Sequence, residues 1–354
     1  MITMDELLSL LVRQGGSDLH ISVGSPPRIR LHGMLMPVDT PALTPDDTRR
    51  LATSVLNADQ IARLDRDLEL DCSFGLEGFG RFRANVFFQQ GSVATVLRSI
   101  PSEIPDFEKL GMPVSVCERI CSLRAGLVLV TGATGSGKST SLAAMINHVN
   151  TLRQAHIVTI EDPVEFTHQH RSCLVTQREV GGDTRTFHNA LRSVLRQDPD
   201  VVLVGELRDH ETIEAALTLA ETGHLTFGTL HTSDAVQTAN RIIDVFPSHQ
   251  QSQVRTQLSF SLEAVFSQQL LPTSDGNGRA MAAEIMTCTP GIRALIREGK
   301  THQLYSQIQT GGRLGMRTMA QSLAELVRSG RVNIVDAEMA MSDPGELRTL
   351  IKAA

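Results

Sequence analysis

The segment at residues 126–141 reads GLVLVTGATGSGKSTS, an apolar run followed by a glycine-rich motif. The run at 127–130 is typical of a strand buried on both faces. Residues 132–139 match G-x-x-x-x-G-K-[ST], and good helix formers follow at 142–148. A strand, a glycine loop and a helix in this order predict a phosphate-binding loop. Glycines let backbone N–H groups point at phosphate oxygens, and a helix N-terminus adds positive partial charge.

The motif assigns a role to each side chain that it contains. Lys138 is expected to reach the β- and γ-phosphates of a nucleotide, and the Ser139 hydroxyl is expected to bind Mg²⁺. The predicted nucleotide-binding residues are Gly132, Ala133, Thr134, Gly135, Ser136, Gly137, Lys138, Ser139 and Thr140.

The composition indicates a globular protein of about two domains. The 354 residues are 41% hydrophobic and 20% charged, and the net charge of −6 argues against general nucleic-acid binding. No apolar run approaches the ~18 residues of a membrane span, and the acidic opening segment shows no secretory signal. The cysteines form no CxxC pair, so we expect reduced thiols in a cytoplasmic protein.

The first hundred residues predict a small α+β domain. Apolar side chains at helical spacing predict an opening helix over 4–14. Thr44 and Pro45 are typical of a helix start, and a further helix is expected over 58–66. Strands are expected at 19–22, 28–31, 35–38, 68–74, 80–88 and 92–99.

Prolines and glycines after these strands predict a linker. We therefore assign residues 1–100 to an N-terminal domain, 101–112 to the linker and 113–354 to a second domain that ends in a helical region.

The second domain alternates apolar runs with helical patterns, which is typical of a mainly parallel sheet with helices on both faces. Besides the strand before the glycine loop, buried strands are predicted at 157–160, 201–204 and 225–230. Polar residues follow each of them. Because ligands of open α/β sheets bind at the carboxyl ends of the strands, we expect the functional site at this edge.

Acidic residues follow two of these strands. Glu206 comes soon after a buried strand, where a carboxylate can orient or deprotonate an attacking water. Glu161 and Glu165 lie on either side of Pro163, which fixes the chain so that the two side chains need not point alike. Both are candidates to meet the nucleotide, and we rank Glu165 slightly above Glu161.

Two histidines lie at the ends of the strand predicted at 225–230. His231 follows its end, where a polar group can sense the loss of the γ-phosphate. His224 lies seven residues earlier, and an odd spacing on one strand points the two side chains to opposite faces, so a metal pair is not expected. His224 is either structural or a link to the neighbouring strand or subunit.

Phosphoryl transfer also needs positive charge on the developing oxygens, often from an arginine of a neighbouring subunit. Candidates lie on strands of the first domain and beside the strand that precedes Glu206. They are Arg81, Arg83, Arg98, Arg196 and Arg208, and His224 is a further phosphate-sensing candidate. The sequence does not decide among them.

Five stretches resemble the signatures of the secretion and pilus motor ATPases. They are GATGSGKST, TIEDPVEF, VGELRD, TGHLTFGTLHT and PGIRALIREGK. The resemblance covers nearly the whole chain and is greatest to the type IV pilus retraction ATPases. It implies an α/β fold in which a smaller PAS-like α+β domain precedes a RecA-like P-loop ATPase domain.

The same resemblance implies a function. It implies ATP and Mg²⁺ as cofactors and a homo-hexameric ring that drives pilus retraction, disassembly and twitching motility. The ring is expected at the cytoplasmic face of the inner membrane. It would act there on a platform protein and associate with the membrane only through that partner.

The resemblance also implies roles for the acids. Glu161 and Glu165 belong to an acidic box that positions Mg²⁺ or water, and Glu206 and His231 are catalytic candidates. Ordinary P-loop ATPases carry Asp–Glu at the end of this strand, whereas Gly205 occupies the aspartate position here, a departure that the family shares. Ser139 and waters are then expected to hold the metal.

The stretch 290–300 predicts a helix that begins at Pro290 and ends before Gly299. Its predicted apolar face consists of Ile292, Leu295 and Ile296. Arg293 and Arg297 share another face, and the sequence alone predicts that both are solvated. The resemblance instead assigns this stretch to a signature that the retraction ATPases need for retraction.

Alternatives remain at this point. One is an accessory retraction ATPase. Another is an ATPase of pilus extension or type II secretion, but those relatives usually carry an additional N-terminal domain and a four-cysteine zinc element, and neither is visible here. A non-enzymatic ATP-binding assembly module is opposed by the intact Lys138, Ser139 and Glu206.

Overall fold

The computed structural model describes residues 2–31, 33–76, 78–101 and 103–352. The chain divides into two compact units. The first comprises Met1–Glu103 with Glu165–Thr167, and the second comprises Ile104–Val164 with His168–Ala354. The domain ranges expected from the sequence, 1–100, 101–112 and 113–354, stay a prediction.

The first unit is an antiparallel sheet covered by helices. Its strands are β1 (Asp18–Ile21), β2 (Arg28–Leu31), β3 (Met34–Pro37), β4 (Glu69–Leu76), β5 (Gly80–Gln89) and β6 (Ser92–Ile100). Over the described residues they form a six-stranded sheet in the order β3-β2-β1-β6-β5-β4. Its helices are α1 (Met4–Arg13), α2 (Pro45–Thr53) and α3 (Ala58–Asp67).

The predicted start of α2 is confirmed. The Thr44 hydroxyl accepts a hydrogen bond from the Asp47 backbone N–H, and the Asp47 carboxylate accepts one from the Thr44 backbone N–H. This reciprocal cap satisfies donors that the first turn of a helix leaves free. Apolar side chains of the helices and the sheet, such as Leu8 of α1 and Phe82 of β5, form one buried core.

The second unit is a mainly parallel sheet. Its strands are β7 (Gly126–Thr131), β8 (His156–Glu161), β9 (Leu174–Glu179), β10 (Val201–Val204), β11 (Leu225–Leu230), β12 (Leu262–Pro272) and β13 (Arg279–Thr287). Over the described residues their order is β13-β12-β7-β11-β10-β8-β9. Only the hairpin pair of β12 and β13 runs antiparallel within this described sheet.

Helices cover both faces of this sheet. They are α4 (Phe107–Leu110), α5 (Val114–Cys121), α6 (Lys138–Leu152), α7 (Phe187–Val194), α8 (His210–Glu221), α9 (Ala235–Asp244), α10 (Gln251–Ser261), α11 (Pro290–Arg297), α12 (Leu304–Thr310), α13 (Met319–Arg328), α14 (Ile334–Met339) and α15 (Pro344–Lys352). Short 3₁₀ turns lie at Thr301–Gln303 and Gly312–Leu314.

Strand β7 shows why its sequence is continuously apolar. Every residue of the strand is buried. Leu127 and Leu129 belong to one core cluster, and Val128 and Val130 belong to the cluster on the opposite face. Because successive strand residues point to opposite faces, a strand covered on both sides needs apolar residues at every position.

The parallel register brings the strand ends together. Thr131 at the end of β7 pairs with Leu230 at the end of β11, and Val204 at the end of β10 pairs with Ile160 of β8. The segments that follow these strands therefore lie at one edge of the sheet, as the sequence predicts. In the part of the chain that the structure describes, no helix combines the length and apolarity needed to cross a bilayer.

Candidate functional site

The glycine-rich loop joins β7 to α6, and all residues of the predicted stretch 132–140 lie in this loop or in the first turn of α6. Gly132, Gly135 and Gly137 have φ values of 139°, 82° and 89°, which favour glycine. A Cβ on Gly132 would lie 2.4 Å from the Gln268 carbonyl oxygen of β12. At this position both the backbone conformation and the available space require glycine.

The loop presents unsatisfied donors. Among the described residues, no side chain caps the N-terminus of α6, and the buried Ser136 hydroxyl has no hydrogen-bond partner. Such groups at a helix N-terminus are ready to donate hydrogen bonds to an anion. The loop therefore fits a nucleotide phosphate.

Lys138 begins α6 and folds back over the loop. Its Nζ donates to the carbonyl oxygens of Gly132 at 2.8 Å and Ala133 at 3.1 Å. Burial lowers the pKa of Lys138, and the negative charge of Glu206 opposes that shift. The ammonium group thus lies at the loop with neutral carbonyl partners, which a negatively charged phosphate can replace.

Glu206 lies just beyond β10 between two basic side chains. Its Oε2 is 2.7 Å from Nη2 of Arg208, and its Oε1 is 3.2 Å from Nε2 of His231. Burial raises the pKa of Glu206. The hydrogen bond and charge of Arg208 outweigh this effect, together with the charges of His231 and Lys138, and the net shift lowers the pKa. Glu206 is therefore a carboxylate at neutral pH.

Gly205 occupies the position at which ordinary P-loop ATPases carry an aspartate, and its surroundings are tightly packed. Its N–H donates to the Ile160 carbonyl oxygen at 2.8 Å, and its carbonyl accepts a hydrogen bond from the Thr229 hydroxyl. A Cβ at this position would lie 3.2 Å from the Ile160 oxygen and 3.3 Å from Glu161 Cα. An aspartate would therefore crowd the backbone of β8 at this position.

Glu161 ends β8 and is buried. Its Oε1 accepts hydrogen bonds from the Thr159 hydroxyl at 2.7 Å and from Nε2 of Gln177 at 3.2 Å. These contacts fix the orientation of its carboxylate. Glu165 is exposed and belongs to the first compact unit, so its ranking above Glu161 stays a prediction.

Ser139 lies in the first turn of α6 and is exposed. No group of three or more His, Cys, Asp or Glu side chains suited to a metal occurs within the described ranges. Mg²⁺ usually keeps several waters and takes few protein ligands besides substrate phosphates. A single hydroxyl at the phosphate loop fits this kind of metal.

His224 lies at the end of the sheet away from the phosphate loop of its own chain, and its role as a phosphate-sensing candidate stays a prediction. His224 precedes β11, and its carbonyl accepts a hydrogen bond from the Gly126 N–H at the start of β7. The phosphate loop follows the other end of β7, about 20 Å away at ~3.3 Å per strand residue. Its ring Nδ1 lies 3.0 Å from the Leu219 carbonyl oxygen, so His224 is a link between α8 and the sheet.

His231 lies beyond the other end of β11, beside Glu206. The two histidines flank the strand rather than lie within it, and the length of β11 separates them. The odd spacing on one strand therefore does not describe their arrangement, and the absence of a metal pair stays a prediction.

The arginine candidates lie in three different places. Arg208 lies in the site beside Glu206. Arg196 is exposed between α7 and the amino end of β10, at the opposite edge of the sheet, so it does not reach its own phosphate loop. The candidates of the first unit have partners there: Arg81 donates to Ser73, Arg83 pairs with Asp71 and Arg98 pairs with Asp18.

The helix predicted at 290–300 is confirmed as α11. The Thr289 hydroxyl caps its start, and Gly299 adopts a φ of 72° beyond its end. Its apolar face packs on the core through Ile292, Leu295 and Ile296. Arg297 is exposed, as predicted.

The prediction that Arg293 is solvated is wrong. Its guanidinium donates to the carbonyl oxygens of Ser259 and Phe260 at the end of α10 and to Glu263 Oε1 at 2.7 Å. These acceptors come from a segment thirty or more residues away in sequence, so helical spacing could not indicate them. Arg293 ties α11 to α10.

Residues of the β12–β13 hairpin were missed by the sequence interpretation. Ser267 accepts a hydrogen bond from the Thr131 hydroxyl at 2.9 Å, and the Gln268 carbonyl lies against Gly132. Glu284 lies buried in β13 and accepts from the backbone of Ala235. The apolar run before Pro272 could have indicated a strand, but not its neighbour in the sheet.

Several known proteins are similar to this chain. The profile of the Type II/IV secretion system protein family matches residues 1–339. The Type IV pilus retractation ATPase PilT of Pseudomonas aeruginosa is 50% identical over 93% of this chain and 95% of its own length. A twitching motility protein of Neisseria gonorrhoeae is 51% identical over 86% of this chain and 82% of its own.

A solved structure extends this likeness to the fold. The crystal structure of the pilus retraction motor PilT with bound ADP has a TM-score of 0.92 to this chain at 49% identity, over 99% of this chain and 100% of the other. The predicted fold class, a RecA-like α/β ATPase domain preceded by a smaller domain, is confirmed.

Proposed function

The chain belongs to the Type II/IV secretion system protein family, and from that membership we propose that it is an ATP-hydrolysing motor of type IV pilus retraction. The observation that carries the proposal is the pairing of the phosphate loop with Glu206. Lys138 begins α6 after β7 and Glu206 lies just beyond β10, so the phosphate-binding cation and the carboxylate that can act on water lie at the same edge of the sheet.

The phosphate loop binds the nucleotide. The backbone N–H groups of residues 132–140 surround the β- and γ-phosphates, and Lys138 leaves its carbonyl partners to neutralise their charge. The Ser139 hydroxyl and waters would hold Mg²⁺, which would supply positive charge that stabilises the phosphate oxygens. Glu161 stays oriented by Thr159 and Gln177 toward the same edge and positions water.

Glu206 supplies the base. It is ionised, and a carboxylate at this position orients the attacking water and accepts its proton. Arg208 and His231 hold it in place through its two oxygens. His231 then detects loss of the γ-phosphate through its shared contact with Glu206.

The assembly is proposed to be a homo-hexameric ring at the cytoplasmic face of the inner membrane. Motor subunits of this family act together, and heterologous contacts between identical subunits close into rings. The ring works on an inner-membrane platform protein, and α11 with its exposed Arg297 belongs to the output side of the motor. Arginines of a neighbouring subunit complete each site.

Phosphate release by the purified protein tests the enzymatic part. The wild type is expected to release phosphate from ATP, and Glu206→Gln is expected to bind ATP while losing turnover by about 100-fold or more, the size typical of a lost general base. Glu214→Gln, a change at an acid on the outer face of α8, serves as the matched control and should retain turnover. Equal turnover of Glu206→Gln and the wild type would refute the assignment.

A further inference from the structure

Glu284 is a buried carboxyl group outside the phosphate loop. It lies in β13 with 2% of its surface exposed. Its Oε1 accepts a hydrogen bond of 2.9 Å from the backbone N–H of Ala235, the first residue of α9. The carboxyl group thus joins β13 to the N-terminus of α9.

The first of these helices follows the catalytic edge directly. Only residues 232–234 separate His231 from Ala235. The Thr232 hydroxyl lies 2.7 Å from the Thr238 hydroxyl, which in turn donates to the Asp234 carbonyl oxygen at 2.6 Å. These bonds tie the short connection to the first turn of α9, so the connection moves with the helix.

Burial of a carboxyl group at this position in β13 has a high desolvation cost. Burial raises the pKa of Glu284 to about 7, the negative charges of Asp234 and Glu346 add to that shift, and the hydrogen bond from the Ala235 backbone N–H opposes it. Ordinary polar side chains accept backbone hydrogen bonds at a smaller desolvation cost. The hydrogen bond to the N-terminus of α9 offsets part of the cost of burying the carboxyl group.

We propose that Glu284 is a positioning residue for ATP hydrolysis, which fixes the start of α9 and through residues 232–234 holds His231 against Glu206. The proposal rests on the proposed function of this site. His231 lies 3.2 Å from Glu206, so a shift of α9 by about 1 Å would break their contact, and displacements of that size reduce turnover strongly.

The test replaces Glu284 by methionine, which has a similar length and volume but offers no comparable acceptor. Glu284→Met is expected to lower kcat by about 10- to 100-fold. The Kd for ADP should stay within about twofold, because the phosphate loop follows β7 and not β11. Glu284→Gln keeps an acceptor for the Ala235 N–H and should restore most of kcat.

Ser322→Ala is the matched control. The Ser322 hydroxyl is buried and accepts a hydrogen bond of 3.0 Å from the Ala283 N–H, so it ties α13 to the residue of β13 beside Glu284 without touching α9. It should lower the melting temperature yet leave kcat within about twofold of the wild type. An equal loss of kcat in Ser322→Ala and Glu284→Met would show a general packing effect and overturn the proposal.

A double-mutant cycle with His231→Ala tests whether Glu284 affects turnover through His231. If Glu284 acts through His231, the double variant Glu284→Met/His231→Ala turns over no more slowly than His231→Ala alone. Losses that multiply, or a His231→Ala variant as fast as the wild type, would contradict the proposal. Absence of phosphate release by the wild type would instead refute the proposed function, so the two failures are distinguishable.

Discussion

Lys138 illustrates how a single residue can be required for activity and still be dispensable for the fold. Among the residues that the structure describes, its ammonium group donates hydrogen bonds only to carbonyl oxygens of its own loop, and its side chain is not part of a core cluster. Lys138→Ala should therefore abolish phosphate release while the melting temperature stays nearly unchanged. Lys109→Ala, at an exposed lysine of α4, is the control for removal of a charge. Turnover retained by Lys138→Ala would show that the loop is not the nucleotide site.

Glu284 makes stability depend on pH. Its pKa is about 7 in the folded chain against 4.5 as the reference value. A carboxyl group whose pKa is raised by folding increases the free energy of unfolding. This contribution is fully present below pH 4.5 and is lost as the pH rises to 7. The loss amounts to about 3 kcal/mol. Chemical unfolding of the wild type and Glu284→Gln should be measured across this pH interval. As the pH rises, the variant should become more stable relative to the wild type by about this amount. A difference that does not change with pH would contradict this account.

Single residues also mark what the sequence could and could not predict. The phosphate loop was identified from a motif because its chemistry depends on local backbone shape, which glycine spacing reveals. Arg196 and His224 were candidates only because they lie near site strands in sequence. Proximity to a strand does not tell which end of it a side chain occupies, and both lie at the amino edge.

Two arginines of α11 look alike in the sequence but have different surroundings in the structure. Arg293 is tied to α10 and to Glu263, whereas Arg297 is exposed. Arg293→Ala should destabilise the fold by about 1–3 kcal/mol, because two carbonyl groups at the end of α10 and the half-buried charge of Glu263 lose their partner. Arg297→Ala should leave the melting temperature and ATP turnover nearly intact but stop pilus retraction in cells. Normal retraction by Arg297→Ala, or a parallel fall in its ATP turnover, would refute a role in motor output.

Elements were predicted best where the pattern was local. The strand predicted at 225–230 matches β11, and the cap at Thr44 is formed as expected. The antiparallel hairpin of β12 and β13 was missed, although β12 lies beside β7 and closes one side of the loop. Its place depends on pairing between strands more than a hundred residues apart, which no local periodicity encodes.

The whole molecule is expected to work as a ring with shared sites. Arg196 lies at the edge opposite its own phosphate loop, so any contact with phosphates must be made in a neighbouring subunit. Inactive Lys138→Ala subunits mixed with inactive Arg196→Ala subunits should therefore recover part of the hydrolysis. Arg192→Ala, on the same exposed side of α7, should be active by itself. A mixture that stays inactive while both parents assemble would exclude Arg196 as the shared arginine.

The direction of work is a property of the motor in the cell, and surface pili report it most directly. The measurement is the number and retraction of pili in cells that lack the gene and carry either the wild-type copy or Glu206→Gln. We predict excess, non-retracting pili with the deletion and with Glu206→Gln, and normal retraction with the wild-type copy. Cells without pili would indicate extension, and retraction driven by Glu206→Gln would contradict the ATP-hydrolysing motor proposed here.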